Sequence, residues 1–299
     1  GPGYAATEMA VPGWTTSTGC DSGSASNIVV PPGGVATCTF TNANPPPTAS
    51  ITGPLSELNV FPVGTTVNFT GTFTDSYLDT HMFVWTFDAL STSAAAATPN
   101  PGNAGSTNTS YPFTVPGVYS VKLTVTDGAG QSAVDTTTPD GLPAMVIVYD
   151  PNGGFVTGGG WIDSPAGAYS PDQSLVGKAT FGFVSKYKKG ATVPTGETEF
   201  QFKAGDLNFH SATYQWLVVA GAKAQYKGEG TINGVAGYSF LLTATDGDLA
   251  GGGGVDKFRI KIWNTLTSDI VYDNNVGGSD DMDLANPQAL GGGSIVIHK

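Results

Sequence analysis

Hydrophobic and polar residues alternate most regularly in the segment that begins at Tyr119. Every second residue from Tyr119 to Val125 is apolar, and the three residues between them are polar. This two-residue period is typical of a β-strand with one buried face. The dipeptide Asp127-Gly128 comes directly after the strand and is typical of a tight turn. No window of useful length has the 3.6-residue period of a helix, so the pattern predicts an all-β protein.

Strand-like runs recur through the C-terminal half of the chain and are separated by turn residues. The predicted strands are 178–188, 198–203, 214–219, 222–232, 238–244, 257–263 and 294–298. The composition agrees, because the sequence is rich in Thr, Val and Ser and contains 42 Gly and 20 Pro. Residues 90–110 are rich in Ala, Ser, Asn and Pro and predict a long loop. We therefore expect β-sandwich domains in tandem.

The sequence PGVYSVKLTVTDGAG at residues 116–130 resembles the last strands of the polycystic-kidney-disease (PKD) domain. Residues 64–69 (GTTVNF) and 84–88 (VWTFD) resemble two earlier strands of that family. Ala89-Leu90 replaces the Gly and Asp that the family has after the second of these strands. The resemblance implies an immunoglobulin-type sandwich of seven strands over residues 45–150. It implies no particular activity, because a fold of this kind does not fix a function.

Residues 151–299 resemble the β domain that often follows PKD modules in large bacterial surface proteins. The resemblance depends on GGGW at 158–161, GFVSKYKKG at 182–190 and AKAQYKG at 222–228. It implies a second β-sandwich and no known activity.

Residues 1–44 predict a small, partial β module. Gly1-Pro2 is typical of the residues left after an affinity tag is removed, so we expect the native N-terminus to lie elsewhere. The sequences around Glu8 and Asn42 resemble the end of a prealbumin-like module of Gram-positive pilins. In those modules an early Lys bonds covalently to such an Asn, with assistance from the Glu. No Lys precedes Lys122 here, and the alternative is that Glu8 and Asn42 are ordinary strand-edge and turn residues.

An early strand of that module is expected to be missing, which leaves a sheet edge unpaired. Two outcomes follow from an unpaired edge. Residues 3–44 associate with a second copy of the chain, or the next domain covers the edge. The Pro45–Pro47 linker is stiff and favours the first outcome.

Charge and cysteine content disfavour a protein that binds nucleic acids or anionic membranes and favour a secreted protein. The net charge of −12, with only 12 Lys and Arg, disfavours nucleic acids and anionic membranes as partners. No apolar run approaches the roughly 20 residues that span a bilayer. Cys20 and Cys38 predict a disulfide in a secreted or cell-surface protein, and two free structural thiols are the alternative.

Three carboxylates around a glycine-rich segment are candidate metal ligands. Asp246, Asp248 and Asp256 flank Gly251–Gly254. Calcium binds six to eight oxygens, and glycine-rich loops can turn backbone carbonyls toward an ion. The spacing is not that of an EF-hand. The sequence therefore predicts calcium as a candidate cofactor, and solvated acidic turns are the alternative.

Trp161, Trp216 and Trp263 are candidate residues for a glycan-binding platform. Exposed aromatic rings on a sheet can stack on sugars, although most aromatic residues of β-sandwiches lie in the core. The three histidines are scattered, and no HExxH or Gly-x-Ser-x-Gly motif is present. We therefore predict no enzyme.

Together these features favour a structural or adhesive segment of an extracellular, multidomain bacterial protein. Its expected role is to space or present partners, with calcium as a stabilising ion. The alternative is an accessory glycan-binding region of a secreted hydrolase.

Overall fold

The computed structural model describes residues 3–54, 59–87, 91–139, 141 and 143–299, and it describes only the backbone of residues 91–96. The described residues form 23 strands and one 3₁₀ turn at Lys203–Gly205. The all-β prediction is confirmed.

The first thirteen strands precede residue 150. They are β1 (Thr15–Cys20), β2 (Gly23–Ser24), β3 (Asn27–Ile28), β4 (Cys38–Ala43), β5 (Ser50–Gly53), β6 (Val60–Pro62), β7 (Thr66–Asp79), β8 (His81–Phe87), β9 (Ser91–Ala96), β10 (Gly102–Pro112), β11 (Gly117–Asp127), β12 (Ser132–Asp135) and β13 (Met145–Tyr149).

The other ten strands follow residue 150. They are β14 (Phe155–Ser164), β15 (Gly177–Lys186), β16 (Thr195–Phe202), β17 (Leu207–Ala220), β18 (Lys223–Ile232), β19 (Val235–Thr245), β20 (Lys257–Asn264), β21 (Ile270–Asp273), β22 (Gln288–Ala289) and β23 (Gly292–His298). No helix among the described residues is both long and apolar enough to cross a membrane.

The chain divides into two compact units that are interleaved along the sequence. The first unit contains residues 1–56, 67–111 and 120–144, and the second contains residues 57–66, 112–119 and 145–299. The three domains 1–44, 45–150 and 151–299 stay a prediction from the sequence.

The first unit contains a sandwich of two antiparallel sheets. One sheet has the strand order β10–β7–β5, and in the other β8 pairs with β9 and with β11. Aromatic side chains join the two layers, since the ring of Phe69 on β7 lies 5.7 Å from that of Trp85 on β8. Leu123 and Val125 on β11 are buried, as the two-residue period predicts.

The prediction of a long loop over residues 90–110 is wrong. Ser91–Ala96 forms β9 and Gly102–Pro112 forms β10, and each pairs with a longer neighbour. Small residues give a weak hydrophobic pattern, whereas backbone hydrogen bonds to β8 and β7 do not depend on side chains. The departure from the family pattern at Ala89-Leu90 lies outside the described residues.

Residues 3–44 contribute a two-stranded sheet to the first unit. β1 pairs antiparallel with β4, and the register places Thr16 opposite Asn42 and Cys20 opposite Cys38. The two cysteines are disulfide-bonded, which confirms the predicted bridge. β2 and β3 form a second, short ladder.

The second unit contains a ten-stranded antiparallel sheet. Its order is β21–β20–β19–β18–β17–β16–β15–β14–β23, and β22 also pairs with β20. The sheet curls so that strands distant in the strand order meet. The rings of Phe181 on β15 and Phe258 on β20 stack with centroids 3.9 Å apart. The enclosed core contains Phe200, Tyr226 and Tyr272 among many apolar residues. This curled sheet is the second β-sandwich.

Candidate functional site: a second buried layer and the predicted binding residues

The ten-stranded sheet is buried on both faces over part of its surface. Its inner face lines the main core, and its outer face carries a second cluster of buried residues, here called the second layer. The members of the second layer are Val118, Ile147, Trp216, Val218, Leu241 and Met282. All six belong to the second compact unit.

Neighbouring residues of one strand supply both clusters. On β17, Leu217 and Val219 face the main core, whereas Trp216 and Val218 belong to the second layer. Side chains alternate between the faces of a strand, so the β17 segment that is buried on both faces is apolar at successive positions. The indole of Trp216 is only 3% exposed.

Strands β6 and β13 pack on the outer face of the sheet and cover the second layer. They pair parallel, with Ile147 opposite Val60. Ile147 lies in the second layer, and the half-buried Val60 and Met145 pack against it. Tyr149, two residues after Ile147, stacks on Tyr187 with ring centroids 5.2 Å apart. The second layer therefore joins segments that are far apart in the sequence.

A buried ion pair continues the same face beside the second layer. Arg259 Nε and Nη2 donate to the two carboxylate oxygens of Asp273, over 2.9 and 2.8 Å. Arg259 is 1% exposed, and Nη2 also lies 3.2 Å from Asp280 Oδ1. Burial lowers the pKa of the Arg259 guanidinium, but Asp273 and Asp280 outweigh burial and hold that pKa above its ordinary value. Arg259 also donates to the carbonyl oxygens of Ser279 and Gly278, so the ion pair anchors the segment that follows β21.

The sequence carried a signal for the second layer that the strand predictions did not use. Residues 145–149 (MVIVY), 216–219 (WLVV) and 240–242 (FLL) are continuous apolar runs. Such runs indicate strands that are buried on both faces, whereas the alternating pattern indicates strands with one face in water.

The three predicted calcium ligands lie on one loop, but two of them hold a strand. Asp246 Oδ2 accepts a hydrogen bond from the amide of Ile297, and Asp256 Oδ2 accepts one from the amide of Ile295. Asp248 donates its own amide to Asp246 Oδ1 over 3.0 Å. Among the described residues, no group of three or more His, Cys, Asp or Glu side chains is arranged to hold a metal. Calcium binding stays a prediction from the sequence.

The three predicted glycan-binding tryptophans have different surroundings. Trp216 is buried in the second layer, whereas Trp161 and Trp263 are half-buried. Lys178 Nζ lies 4.4 Å from the ring centroid of Trp161, and Lys227 Nζ lies 5.6 Å from that of Trp263. The structure does not bring the three rings into one platform, because a sugar cannot stack on the buried ring of Trp216. Glycan binding by the other two stays a prediction.

A cluster of hydroxyl groups lies inside the main core. Thr198 Oγ1 is 2.8 Å from Tyr214 Oη and 2.9 Å from Tyr226 Oη. The hydroxyl of Tyr187 bonds both the amide and the carbonyl of Leu217. Burial is the main cause that raises the pKa of Tyr187, Tyr214, Tyr226 and Tyr272 above the ordinary value for tyrosine. These phenols are neutral supports of the sheet.

The histidines occupy three separate places. His81 is buried with Nε2 2.8 Å from Asp75 Oδ2, and its ring stacks on Phe73. His210 is paired with Glu199 on the surface, and His298 stacks on Phe155. Each histidine is held by its own neighbours.

The structure brings Glu8 and Asn42 together. Asn42 Nδ2 donates to Glu8 Oε1 over 2.6 Å, and Thr16 Oγ1 donates to Asn42 Oδ1 over 2.6 Å. The two residues that resemble the pilin pair are therefore hydrogen-bonded neighbours, with Glu8 ahead of β1 and Asn42 on β4. That no internal cross-link forms at Asn42, since no Lys precedes Lys122, stays a prediction from the sequence.

The comparisons with known proteins bear on part of the chain. Residues 44–139 match the family model of the PKD domain, which supports the resemblance found in the sequence. The resemblances proposed for residues 1–44 and 151–299 stay predictions. No curated protein matches the chain.

One solved structure resembles the chain at a low level of similarity. It is described as surface layer protein SbsC, domains 4-9, with 13% identity and a TM-score of 0.21. The alignment covers 97% of this chain and 40% of that one.

Proposed function

We propose that this chain is a non-catalytic structural or adhesive segment of an extracellular, multidomain bacterial protein, in which it spaces or presents partners. The second layer is the observation that carries the proposal. Val60 and Val118, from the region that matches the PKD domain, pack in the same cluster as Trp216 and Leu241 of the ten-stranded sheet. Part of the region that matches the PKD domain therefore shares one packed core with the ten-stranded sheet inside the second unit.

Two further observations support an extracellular location. The PKD domain match covers residues 44–139, and Cys20 and Cys38 are disulfide-bonded. Disulfides persist in oxidising compartments and are rare in the cytosol. Calcium at Asp246, Asp248 and Asp256 belongs to the proposal as a stabilising ion, and loss of calcium on chelation would then lower the melting temperature of the second unit.

Self-association through residues 3–44 is also part of the proposal. β1 pairs on one side with β4, and the side chains of Met9 and Val35 are 90% and 84% exposed. Exposed strand edges and apolar side chains favour pairing with a second copy.

Native-state hydrogen exchange on the whole chain tests the structural proposal. If the second layer is one core, the amides of β13 that are hydrogen-bonded exchange with the same free energy of opening as those of β17 and β19. Leu241→Ala should then lower protection in β13 as well as in β19. Exchange of β13 at a much lower free energy than β17, with no response to Leu241→Ala, would contradict the proposal.

A further inference from the structure

The last strand of the ten-stranded sheet is paired along one edge only. β23 forms an antiparallel ladder with β14 and ends the strand order of the sheet. Alternate amides of an antiparallel strand point to opposite edges. The amides of Ile295 and Ile297 therefore share one edge, and both donate to side chains of the loop over residues 246–256.

Two carboxylates occupy the positions where carbonyl oxygens of a further strand would lie. The amide of Ile295 donates to Asp256 Oδ2 over 2.8 Å, and the amide of Ile297 donates to Asp246 Oδ2 over 2.9 Å. Asp246 is only 4% exposed. Hydrogen bonds from backbone amides to ionised carboxylates are stronger than those between neutral groups.

The other oxygens of the two carboxylates hold the loop itself. Asp256 Oδ1 accepts from the amide of Gly247 over 2.7 Å, and Asp246 Oδ1 accepts from the amide of Asp248. A side chain at Gly252 would meet the carbonyl oxygen of Asp246, and one at Gly247 would meet the backbone of Val255. The glycines therefore let the loop fold tightly enough to place both carboxylates on one strand edge.

The sequence of β23 makes its edge a strong template for pairing. Ile295 and Ile297 are buried, Val296 is 42% exposed, and all three are β-branched. A free edge with such residues pairs readily with another strand, and natural proteins block such edges with charged side chains or with a covering loop. The loop over residues 246–256 does both.

We propose that this loop, here called the edge lock, prevents strand addition to β23, and that the excluded partner is a second copy of this chain. Antiparallel pairing of two identical edges about a twofold axis is self-complementary, so β23 of one copy matches β23 of another. Opening the edge lock converts a protected strand into an interface between copies.

Light scattering of the full chain over a hundredfold range of concentration tests the edge lock. Asp246→Ala combined with Asp256→Ala should associate more strongly than the unmodified chain by at least tenfold in dissociation constant. Val255→Ala is the matched control, because Val255 lies in the same loop, is 46% exposed and is not one of the proposed calcium ligands. We expect the control to match the unmodified chain.

A third substitution locates the new interface. Val296→Lys, added to the double variant, places like charges on the two pairing edges and should restore the association state of the unmodified chain. Val296 is exposed, so the lysine itself is tolerated in the fold.

Three outcomes would overturn the proposal. A folded double variant that associates no more than the unmodified chain shows that the edge needs no lock. Association that Val296→Lys does not reverse, including aggregation of an unfolded variant, assigns the two carboxylates to fold stability alone. Equal association of Val255→Ala assigns the effect to the whole loop and not to the two carboxylates.

Discussion

Residues 3–44 and the ten-stranded sheet are both built of β-strands, but they are held together in opposite ways. Within residues 3–44, all of which are described, Ile28 is the one buried hydrophobic residue. The ten-stranded sheet instead encloses a large apolar core and carries the second layer on its outer face. The N-terminal strands depend on a disulfide and on side-chain hydrogen bonds, whereas the sheet depends on burial.

The difference follows from the number of faces that each sheet can cover. A two-stranded ribbon in water is at best marginally stable, because it buries little apolar surface against its conformational entropy. Three or more strands with a covered face are stable, and a sheet that is covered on both faces gains burial twice. Three predictions follow from this contrast.

Truncation of Trp216 should have the largest effect. Trp216→Ala removes a fully buried indole from the second layer, and replacement of a core aromatic residue by Ala costs about 3–5 kcal/mol. Denaturant unfolding followed by circular dichroism measures the loss. Trp161→Ala is the matched control, because Trp161 is half-buried and its loss should cost less. A cost for Trp216→Ala no larger than that of the control would contradict a buried second layer.

Reduction of the disulfide should have the next largest effect, and only in the first unit. Cys20 and Cys38 are separated by 18 positions, and a bridge across a loop of about 15 residues contributes roughly 3 kcal/mol. The β1–β4 ladder should lose amide protection on reduction, whereas the ten-stranded sheet should keep it. Hydrogen exchange before and after reduction, with intact mass as the check of bridge opening, measures both. Equal loss of amide protection in both regions would contradict the view that the disulfide holds only the N-terminal strands.

Alkaline pH should have the smallest effect, and mainly on the ten-stranded sheet. Burial raises the pKa of Tyr187, Tyr214, Tyr226 and Tyr272 above the ordinary value near 10. A raised pKa in the folded state means that the stabilisation is complete below about pH 10 and is lost as pH rises above it. The melting temperature of the second unit should therefore fall above about pH 10. Tyr214→Phe should weaken this fall, and an unchanged melting temperature in strong alkali would contradict the burial of these phenols.

The sequence predicted strands well where one face of a strand lies in water. The alternation from Tyr119 to Val125 gave the buried face of β11 correctly, and the runs after residue 177 correspond to β15–β20 and β23. β11 has a clear period because its two faces meet different surroundings, whereas β17 and β19 are apolar on both faces where the second layer covers them. The strands at residues 91–96 and 102–112 were missed because small residues carry almost no pattern.

The candidate site was predictable only in part, because contacts between distant segments do not appear in local patterns. The pairing of Cys20 with Cys38 followed from composition and class of protein. The bonds from Asp246 and Asp256 to β23 did not, since the partners are 51 and 39 residues away. The apolar runs indicate strands that are buried on both faces, but they do not show which segments pack together in the second layer.

The second layer also limits which segments of this chain can be exchanged by recombination. Modules that meet only at a linker can be copied, reordered or lost one at a time by recombination. Here a crossover at residue 150 would separate Ile147 and Val118 from Trp216, Val218 and Leu241 and would leave three large apolar side chains facing water. The strands on either side of that crossover should therefore stay together in related proteins. Substitutions at Ile147 should be accompanied by substitutions at Trp216 or Leu241.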